Sequence, residues 1–209
     1  MLKLTIVRDE HAENPLNDTE WKLYSFSRNH TNFKHPDNFI QSRDRYGAIN
    51  WQVGFKRKAQ YSLARLLSCY QHSGTTWSFK GEGTQCKFDT AQIAGVLVWE
   101  GKAADCGSAP ELREAYARSM IEVHNEWLAG NVYGYTLVDE DNDIDEACWG
   151  FYGDGQDLAD VIAWHLSAGM ADKEFELEVE WEGLLTKEEL KKAWAEVAVN
   201  DAKLEEAKS

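Results

Sequence analysis

The order of apolar and polar positions along the chain predicts a mixture of strands and helices. Residues 2–7, 21–26 and 75–79 alternate apolar and polar side chains, which is the period of a half-buried strand. Residues 93–100 are almost continuously apolar and predict a buried strand. Residues 175–181 alternate strictly, with glutamates on the polar side, and predict a strand with one exposed acidic face.

Three other segments carry the period of an amphipathic helix. Residues 108–130 begin with Ser108 as a possible N-cap and Pro110 in the first turn. Apolar positions recur there at helical spacing and predict one buried face, made of Leu112, Tyr116, Met120, Val123 and Trp127. Residues 156–168 predict a second helix, with an inward face of Leu158, Val161, Ile162, His165 and Leu166.

The remaining helical segment lies at the C-terminus, and one further segment is ambiguous. Thr186 and Glu189 have the spacing of a capping box and predict the start of the last helix. Residues 56–72 fit both a helix and a buried strand, and we expect helix or turn to change to strand near Leu66. Residues 27–50 are rich in polar side chains and predict a long irregular loop.

The most informative stretch, residues 127–153, predicts the end of a helix followed by a β-hairpin. Gly130 stands where a helix C-cap needs a residue that can take positive φ. The segment NVYGYTLVDE then reads as one strand, DNDID as an acidic turn and ACWGFYG as the returning strand. Gly134, Gly150 and Gly153 interrupt the aromatic hairpin and indicate bulges or a close approach of the backbone.

Together the elements predict an α+β fold, with a mostly antiparallel sheet and two or three packed helices. We expect residues 1–184 to form a single α+β domain and residues 185–209 an acidic C-terminal helix that frays at its end. No apolar run approaches the about 20 residues of a membrane helix. The first residues lack the layout of a signal peptide. We therefore expect a cytoplasmic protein that does not bind membranes.

The negative charge of the chain is unevenly distributed. The net charge is −14; residues 1–100 hold 13 basic and 10 acidic side chains, whereas residues 101–209 hold 9 and 26. Such asymmetry bears on partners and solubility rather than on fold. The basic run Lys56-Arg57-Lys58, with Arg43, Arg45 and Arg65, resembles a nucleic-acid patch. The acidic second half disfavours direct nucleic-acid binding, so an internal or partner-facing pairing of these basic residues is an equal alternative.

The sequence favours neither a metal nor a cofactor. Cys69, Cys86, Cys106 and Cys148 form no CxxC pair, so free thiols are expected. Asp139, Asp141, Asp143 and Asp145 alternate through the acidic turn in a way that hints at calcium. An EF-hand loop counted from Asp139 would need glycine at position 144 and glutamate at position 150, where Ile144 and Gly150 stand. A solvated turn is the better interpretation.

Several motifs resemble a family of small accessory proteins encoded by tailed bacteriophages. They are Glu13-Asn14-Pro15, His72-Ser73-Gly74, and the segments at 88–95, 127–135 and 148–153. Their order and spacing suit that family over about residues 1–155 and leave the acidic C-terminal third outside it. The chain departs from the family pattern at Thr90-Ala91, where Ser-Gly is expected, and at Phe88, where tryptophan is expected. The resemblance implies a phage accessory gene and no particular activity.

A hydrolase-type site is one alternative for function. His72, Ser73, Cys86 and Asp89 lie within 18 positions, on the flanks of one predicted hairpin. They offer a nucleophile, a base and an orienting acid, which acyl transfer requires within hydrogen-bond reach. The competing interpretation is a pair of turns in which Ser73, Asp89 and Thr90 cap backbone groups. No nucleophile-elbow motif is present.

The acidic second half predicts a protein-binding function instead. Regularly spaced carboxylates can imitate the charge of DNA and occupy the basic groove of a nucleic-acid-binding protein. Together with the phage setting that the resemblance implies, this predicts a protein that binds and inhibits a host nucleic-acid-handling or defence protein, of the restriction or CRISPR type. The alternative is a phage–host interaction without DNA mimicry. The expected contact residues are Asp141, Asp143, Asp145, Glu176, Glu178 and Glu180. The aromatic hairpin would serve as scaffold or as an exposed anchor, through Tyr133, Tyr135, Trp149 and Tyr152.

Overall fold

The computed structural model describes residues 2–30, 32–34, 45–47, 51–138, 144–153, 155–166, 175–179 and 184–208. Its strands are β1 Leu2–Arg8, β2 Trp21–Ser25, β3 Ala64–Gln71, β4 Thr75–Phe79, β5 Thr90–Trp99, β6 Val132–Val138, β7 Ile144–Tyr152 and β8 Phe175–Val179. Its α-helices are α1 Trp51–Ala59, α2 Pro110–Ala129, α3 Gly155–His165 and α4 Lys187–Lys208. The predicted α+β class is confirmed. The strands form two mostly antiparallel sheets, a division that the alternation pattern did not predict.

The chain divides into two compact units. Unit 1 comprises Met1–Ala12 and Gly130–Ser209, and unit 2 comprises Glu13–Ala129. The expected boundary between residues 184 and 185 is not one of the points at which the chain passes between these units. The predicted hairpin and the N-terminal strand belong to unit 1, whereas the predicted helix at 108–130 belongs to unit 2.

Unit 1 is a four-stranded sheet with the order β7-β6-β1-β8. β1 pairs antiparallel with β6 and parallel with β8, so Leu4 and Ile6 lie in the middle of the sheet and are fully buried. Helices α3 and α4 pack on each other and contribute to the same core. Leu158 and Ile162 of α3 are buried as predicted, whereas Val161 is exposed, and the side chain of His165 lies outside the described residues.

The last helix is part of the core of unit 1. Leu190, Ala193 and Trp194 are buried, and the Trp194 ring meets the Phe175 ring edge-on at a centroid distance of 5.0 Å. The predicted capping box is confirmed, because the Thr186 backbone N–H donates to Glu189 Oε2 at 2.6 Å and the Glu189 N–H donates to Thr186 Oγ1 at 3.2 Å. These bonds satisfy two of the donors left free at a helix N-terminus.

Unit 2 is an antiparallel sheet with the order β2-β5-β3-β4 and apolar clusters on both faces. Leu97 packs on the face that α2 covers, with Ala117 and Ile121. Its neighbours Val96 and Val98 pack on the other face, with Phe55 of α1. Alternate residues of a strand point to opposite faces, so the continuous apolar run of β5 is explained by burial on both sides.

The buried face of α2 differs from the predicted one by one position. The buried residues are Ala117, Ile121 and His124, whereas Leu112 is 58% exposed and Tyr116 is also exposed. One position corresponds to about 100° around a helix. Alanine and histidine add little to an apolar pattern, yet the small Ala117 lets the helix approach the sheet closely. Ala117 is fully buried as a result.

At Gly134 the Trp149 ring comes close to the backbone, as the glycines of the hairpin predicted. Gly134 lies opposite Trp149 across β6 and β7, next to a register shift between Tyr133 and Gly134. A β-carbon placed on Gly134 would lie 2.0 Å from Trp149 Cε3 and 2.4 Å from Cδ2. The indole therefore rests directly on the glycine backbone, in a space that any other side chain would need.

Gly134→Ala is therefore expected to destabilise unit 1 by about 1–3 kcal/mol, because the new methyl group must push the indole away. Urea denaturation followed by circular dichroism measures the effect. The Trp149→Ala background supplies the control, since there the alanine at 134 meets no ring and should cost much less. An equal cost in both backgrounds would contradict the packing described.

Candidate functional site

The acidic face predicted on the last strand is partly neutralised by the neighbouring strand. Glu176 and Glu178 are exposed on β8, and parallel pairing sets Lys3 opposite Glu176 and Thr5 opposite Glu178. Lys3 Nζ lies 2.8 Å from Glu178 Oε2, and Thr5 Oγ1 donates to the same oxygen at 3.4 Å. The hydrogen bond and charge of Lys3 hold the pKa of the Glu178 carboxyl below its usual value. Glu176 makes no ion pair with any described residue.

The other predicted acidic contacts cannot be placed on this face. Asp141, Asp143 and Glu180 lie outside the described residues, as does the side chain of Asp145. Their role therefore stays a prediction from sequence.

The two structural units differ sharply in net charge. Unit 1 contains 23 acidic and 8 basic side chains, a net charge of −15. Unit 2 contains 13 acidic and 14 basic side chains, a net charge of +1. The entire acidic excess of the chain thus belongs to one of the two units.

The aromatic hairpin divides into buried and exposed members. Tyr133 and Tyr135 are buried in the core of unit 1, and the Tyr135 hydroxyl donates to Glu146 Oε1 at 2.5 Å. Burial raises the pKa of the Tyr135 hydroxyl above its usual value, and the hydrogen bond to Glu146 is the second cause of this shift. Trp149 is 48% exposed and Tyr152 is half-buried. The two buried tyrosines are scaffold, and Trp149 is the member best exposed to a partner.

Two basic side chains near the predicted nucleic-acid patch bind groups within unit 2. Lys58 Nζ donates to the Trp99 carbonyl at 2.7 Å, and Arg65 pairs with Glu114 at 2.8 Å. These two contacts are internal, as one of the interpretations of the basic run predicted.

His72, Cys86 and Asp89 converge, but in an order that does not suit nucleophilic catalysis. Cys86 Sγ donates to Asp89 Oδ2 at 3.3 Å, and His72 Nδ1 lies 3.7 Å from the same oxygen. Asp89 therefore stands between the thiol and the imidazole, whereas activation requires the base to contact the nucleophile. The 3.7 Å separation is also longer than a hydrogen bond. Ser73 is exposed in the turn between β3 and β4.

The backbone around this cluster forms the turn that the alternative interpretation predicted. Thr90 Oγ1 accepts from the Cys86 backbone N–H at 2.9 Å and donates to the Thr84 carbonyl at 2.9 Å. The hydroxyl thus fixes the loop before β5, as side-chain-to-backbone bonds of threonine commonly do.

A cavity of about 210 Å³ lies in unit 2. Its polar lining consists of Asn14, His30, Asn32, Thr75 and His124. Its apolar lining consists of Trp77, Trp127 and Leu128. Helix α2 and strand β4 supply the rigid part of the wall, and two loop segments supply the rest.

His124 is held in one tautomer by its neighbours. The Leu16 backbone N–H donates to Asn14 Oδ1 at 3.0 Å, which identifies that atom as the amide oxygen. His124 Nδ1 lies 3.2 Å from the same oxygen and must therefore be the donor. His124 is 3% exposed, and burial lowers its pKa to about 4. The ring is thus neutral near pH 7, with an acceptor lone pair on Nε2.

His30 is positioned by bonds to both ring nitrogens. Its Nε2 lies 2.8 Å from Gln71 Nε2 and its Nδ1 lies 2.7 Å from Ser25 Oγ. Since the amide nitrogen of Gln71 is a donor, the assigned tautomer carries its proton on Nδ1. The ring meets Trp77 edge-on at a centroid distance of 5.7 Å.

Asn125 fixes the α2 wall of this cavity to the edge of the sheet. Its Oδ1 accepts from the Trp77 backbone N–H and its Nδ2 donates to the Trp77 carbonyl, both at 2.8 Å. β4 is an edge strand, so these bonds satisfy backbone groups that would otherwise lack a strand partner. The apolar pattern of the sequence does not predict this site, because it passes over the polar residues of α2. The sequence signal for this site is that His124 and Asn125 follow Ala117 and Ile121 at helical spacing, on the same side of α2.

Because His124 stays neutral in the folded chain, lowering the pH from 6.5 towards 4 should reduce stability by about 1.4 kcal/mol per pH unit from this residue alone. In that range the unfolded chain binds a proton that the folded chain does not. Urea denaturation at several pH values measures the slope, and His124→Gln should make it shallower. Identical slopes for wild type and His124→Gln would refute the buried neutral imidazole.

No protein-family model, curated protein or solved structure matches the chain. The similarity to tailed-phage accessory proteins therefore stays a prediction. Of the helices in the described ranges, none is long and apolar enough to cross a membrane. No group of three or more His, Cys, Asp or Glu side chains among the described residues is arranged to hold a metal ion.

Proposed function

We propose that the chain is a bacteriophage protein that uses unit 1 to bind a basic, nucleic-acid-binding surface of a host defence protein. The observation that carries the proposal is the separation of charge, −15 in unit 1 against +1 in unit 2. An acidic excess that served solubility alone could be spread over both units. The phage origin and the host setting come from the sequence motifs near residues 127–153.

The mechanism is steric and electrostatic occlusion. Duplex DNA carries one negative charge per about 1.7 Å of its axis, so proteins that hold it present basic grooves. An acidic unit bound in such a groove excludes the nucleic acid. Complementary charge also accelerates association and makes it sensitive to salt.

The exposed carboxylates of unit 1 are unequal in this role. Glu176 is exposed and makes no ion pair among the described residues, although it lies opposite Lys3 and interacts with its charge. Glu178 already shares its charge with Lys3, so it contributes less than its formal charge. In the sequence, the densest acidic run is at 139–146, immediately before the exposed Trp149. Trp149 would add an apolar anchor beside the charged contacts.

The hydrolase alternative has less support. Proximity favours it, since His72 and Cys86 both approach Asp89. The central position of the carboxylate and the turn bonds of Thr90 are the arrangement of a structural loop. Binding of a phage–host partner without DNA mimicry remains the second candidate, because Trp149 and Trp164 are exposed on unit 1.

Replacing six carboxylates of unit 1 with amides should weaken capture of nucleic-acid-binding proteins from a bacterial lysate by about tenfold or more. The variant carries substitutions at Asp141, Asp143, Asp145, Glu176, Glu178 and Glu180. Immobilised full-length chain is used, and bound proteins are eluted with duplex DNA and, separately, with salt. We expect DNA to release the proteins that the wild-type chain retains.

A matched control removes six negative charges from unit 2 instead. It replaces Glu13, Asp18, Glu20, Asp105, Glu111 and Glu122, which are exposed. This variant should capture the same proteins as wild type. If the two variants lose binding equally, net charge alone explains capture, and if neither loses it, the electrostatic mechanism is wrong.

A further inference from the structure

The cavity of unit 2 has the features of a ligand-binding site. The function proposed for unit 1 does not involve it. We propose that it binds an uncharged nucleobase, either of a free nucleoside or of a single-stranded nucleic acid. The inference rests on the lining residues, their fixed hydrogen-bonding roles and the size of the cavity. It is independent of the function proposed for unit 1.

The lining residues favour a ligand portion without net charge. The polar side chains in the wall are amides, a hydroxyl and two imidazoles, and no Lys, Arg, Asp or Glu is among them. His124 is buried against Asn14, and His30 bonds to the neutral groups of Ser25 and Gln71. A phosphate or carboxylate inside this cavity would lose its hydration without gaining an opposite charge.

The hydrogen bonds already made determine what the wall can offer. Asn14 Oδ1 accepts from Leu16 and from His124, which leaves its Nδ2 as a donor. Asn32 Nδ2 donates to the Leu23 carbonyl at 3.3 Å, which leaves its Oδ1 as an acceptor. Among the described residues, nothing bonds to these two remaining groups or to His124 Nε2.

Thr75 adds a hydroxyl that accepts from Gln71 Nε2 at 3.4 Å and can still either donate or accept. The Asn14 and Asn32 amides and His124 therefore contribute the donors and acceptors whose roles are fixed by other bonds. A nucleobase has the matching property, because its amino, imino and carbonyl groups are each only a donor or only an acceptor. A monosaccharide hydroxyl can play either role and could also pair with these groups, so a sugar is the competing ligand that the test must separate from a nucleobase.

Size and aromatic walls favour the same ligand. The volume of the cavity is about 210 Å³. It is smaller than the usual site for a drug-sized molecule, so one ring system can enter while the rest of the ligand stays outside. Trp127 is half-buried and offers an indole ring, on which bases of every kind stack favourably. The His124 ring stacks on Trp127 at a centroid distance of 5.5 Å, so a base would use the other face of the indole. Trp77 is 3% exposed and adds apolar surface to the wall.

Isothermal titration calorimetry of the full chain with adenosine, guanosine, cytidine and uridine tests the proposal. At least one nucleoside should bind with a dissociation constant on the order of 0.1–1 mM, as expected for one stacked, hydrogen-bonded base. Methyl glucoside is the comparison ligand. Failure of every nucleoside to bind at about 10 mM, well above that range, or tighter binding of the glucoside, would overturn the assignment.

Thr75→Val should weaken nucleoside binding about three- to tenfold, because it removes one hydrogen bond and keeps the shape of the side chain. Thr76→Val is the matched control. Thr76 is the exposed neighbour on the opposite face of β4 and should leave the affinity unchanged. Equal affinities for wild type and Thr75→Val would contradict the proposal.

A second pair of variants keeps the test decisive if Thr75→Val folds poorly. Trp127→Leu removes an indole from the wall and should weaken binding about tenfold. Trp164→Leu removes an exposed indole from unit 1 and should not affect binding. Thermal melts establish that each variant is folded, and unchanged affinity in a folded Trp127→Leu variant would refute stacking in this cavity.

Short single-stranded oligonucleotides identify the source of the base. If an oligonucleotide binds about tenfold or more tightly than its nucleoside, the occupant is a base of a nucleic acid, since added phosphate contacts strengthen binding. If it binds equally or more weakly, the occupant is a free nucleoside. The net charge of −14 repels polyanions and makes the second result the expected one.

Discussion

The pairing of β1 with two strands from the other end of the chain is the constraint on which unit 1 depends. β1 lies between β6 and β8, and its Leu4 and Ile6 are fully buried in the core that α3 and α4 complete. A two-stranded hairpin is marginally stable in water, so β6 and β7 need this third strand and the helices that cover it. The first twelve residues are therefore structurally part of the C-terminal half, and unit 2 is the stretch of chain between the two parts.

The same pairing changes the electrostatics of unit 1. Parallel register brings Lys3 to Glu178, so a residue from the neutral N-terminal stretch neutralises part of the acidic strand. The net charge of −15 survives because the two basic side chains of residues 1–12 are balanced by two acidic ones. Binding through unit 1 would therefore depend most on carboxylates that make no ion pair, among which Glu176 and Glu188 are described examples.

In unit 2, helix α2 packs on the sheet and also forms one wall of the cavity. Ala117 and Ile121 pack on the sheet, and one turn further along His124 and Asn125 replace apolar residues on the same side. Asn125 bonds to the edge strand and His124 Nδ1 bonds to Asn14, so both side chains are held in place. Buried polar groups held in this way are costly to rearrange. The cavity wall is correspondingly well fixed.

By itself the sequence determined the local elements. Alternation predicted β1, β2, β4 and β8, the spacing of Thr186 and Glu189 predicted the cap of α4, and Gly134 predicted a close backbone approach. These features depend on side chains near in sequence. Only the tertiary structure decided that the strands form two sheets, that α2 buries Ala117 rather than Tyr116, and that Lys3 meets Glu178. Each of these depends on groups far apart in the chain, and so does the cavity that joins Asn14, Thr75 and His124. Hydrophobic pattern alone does not encode such pairings.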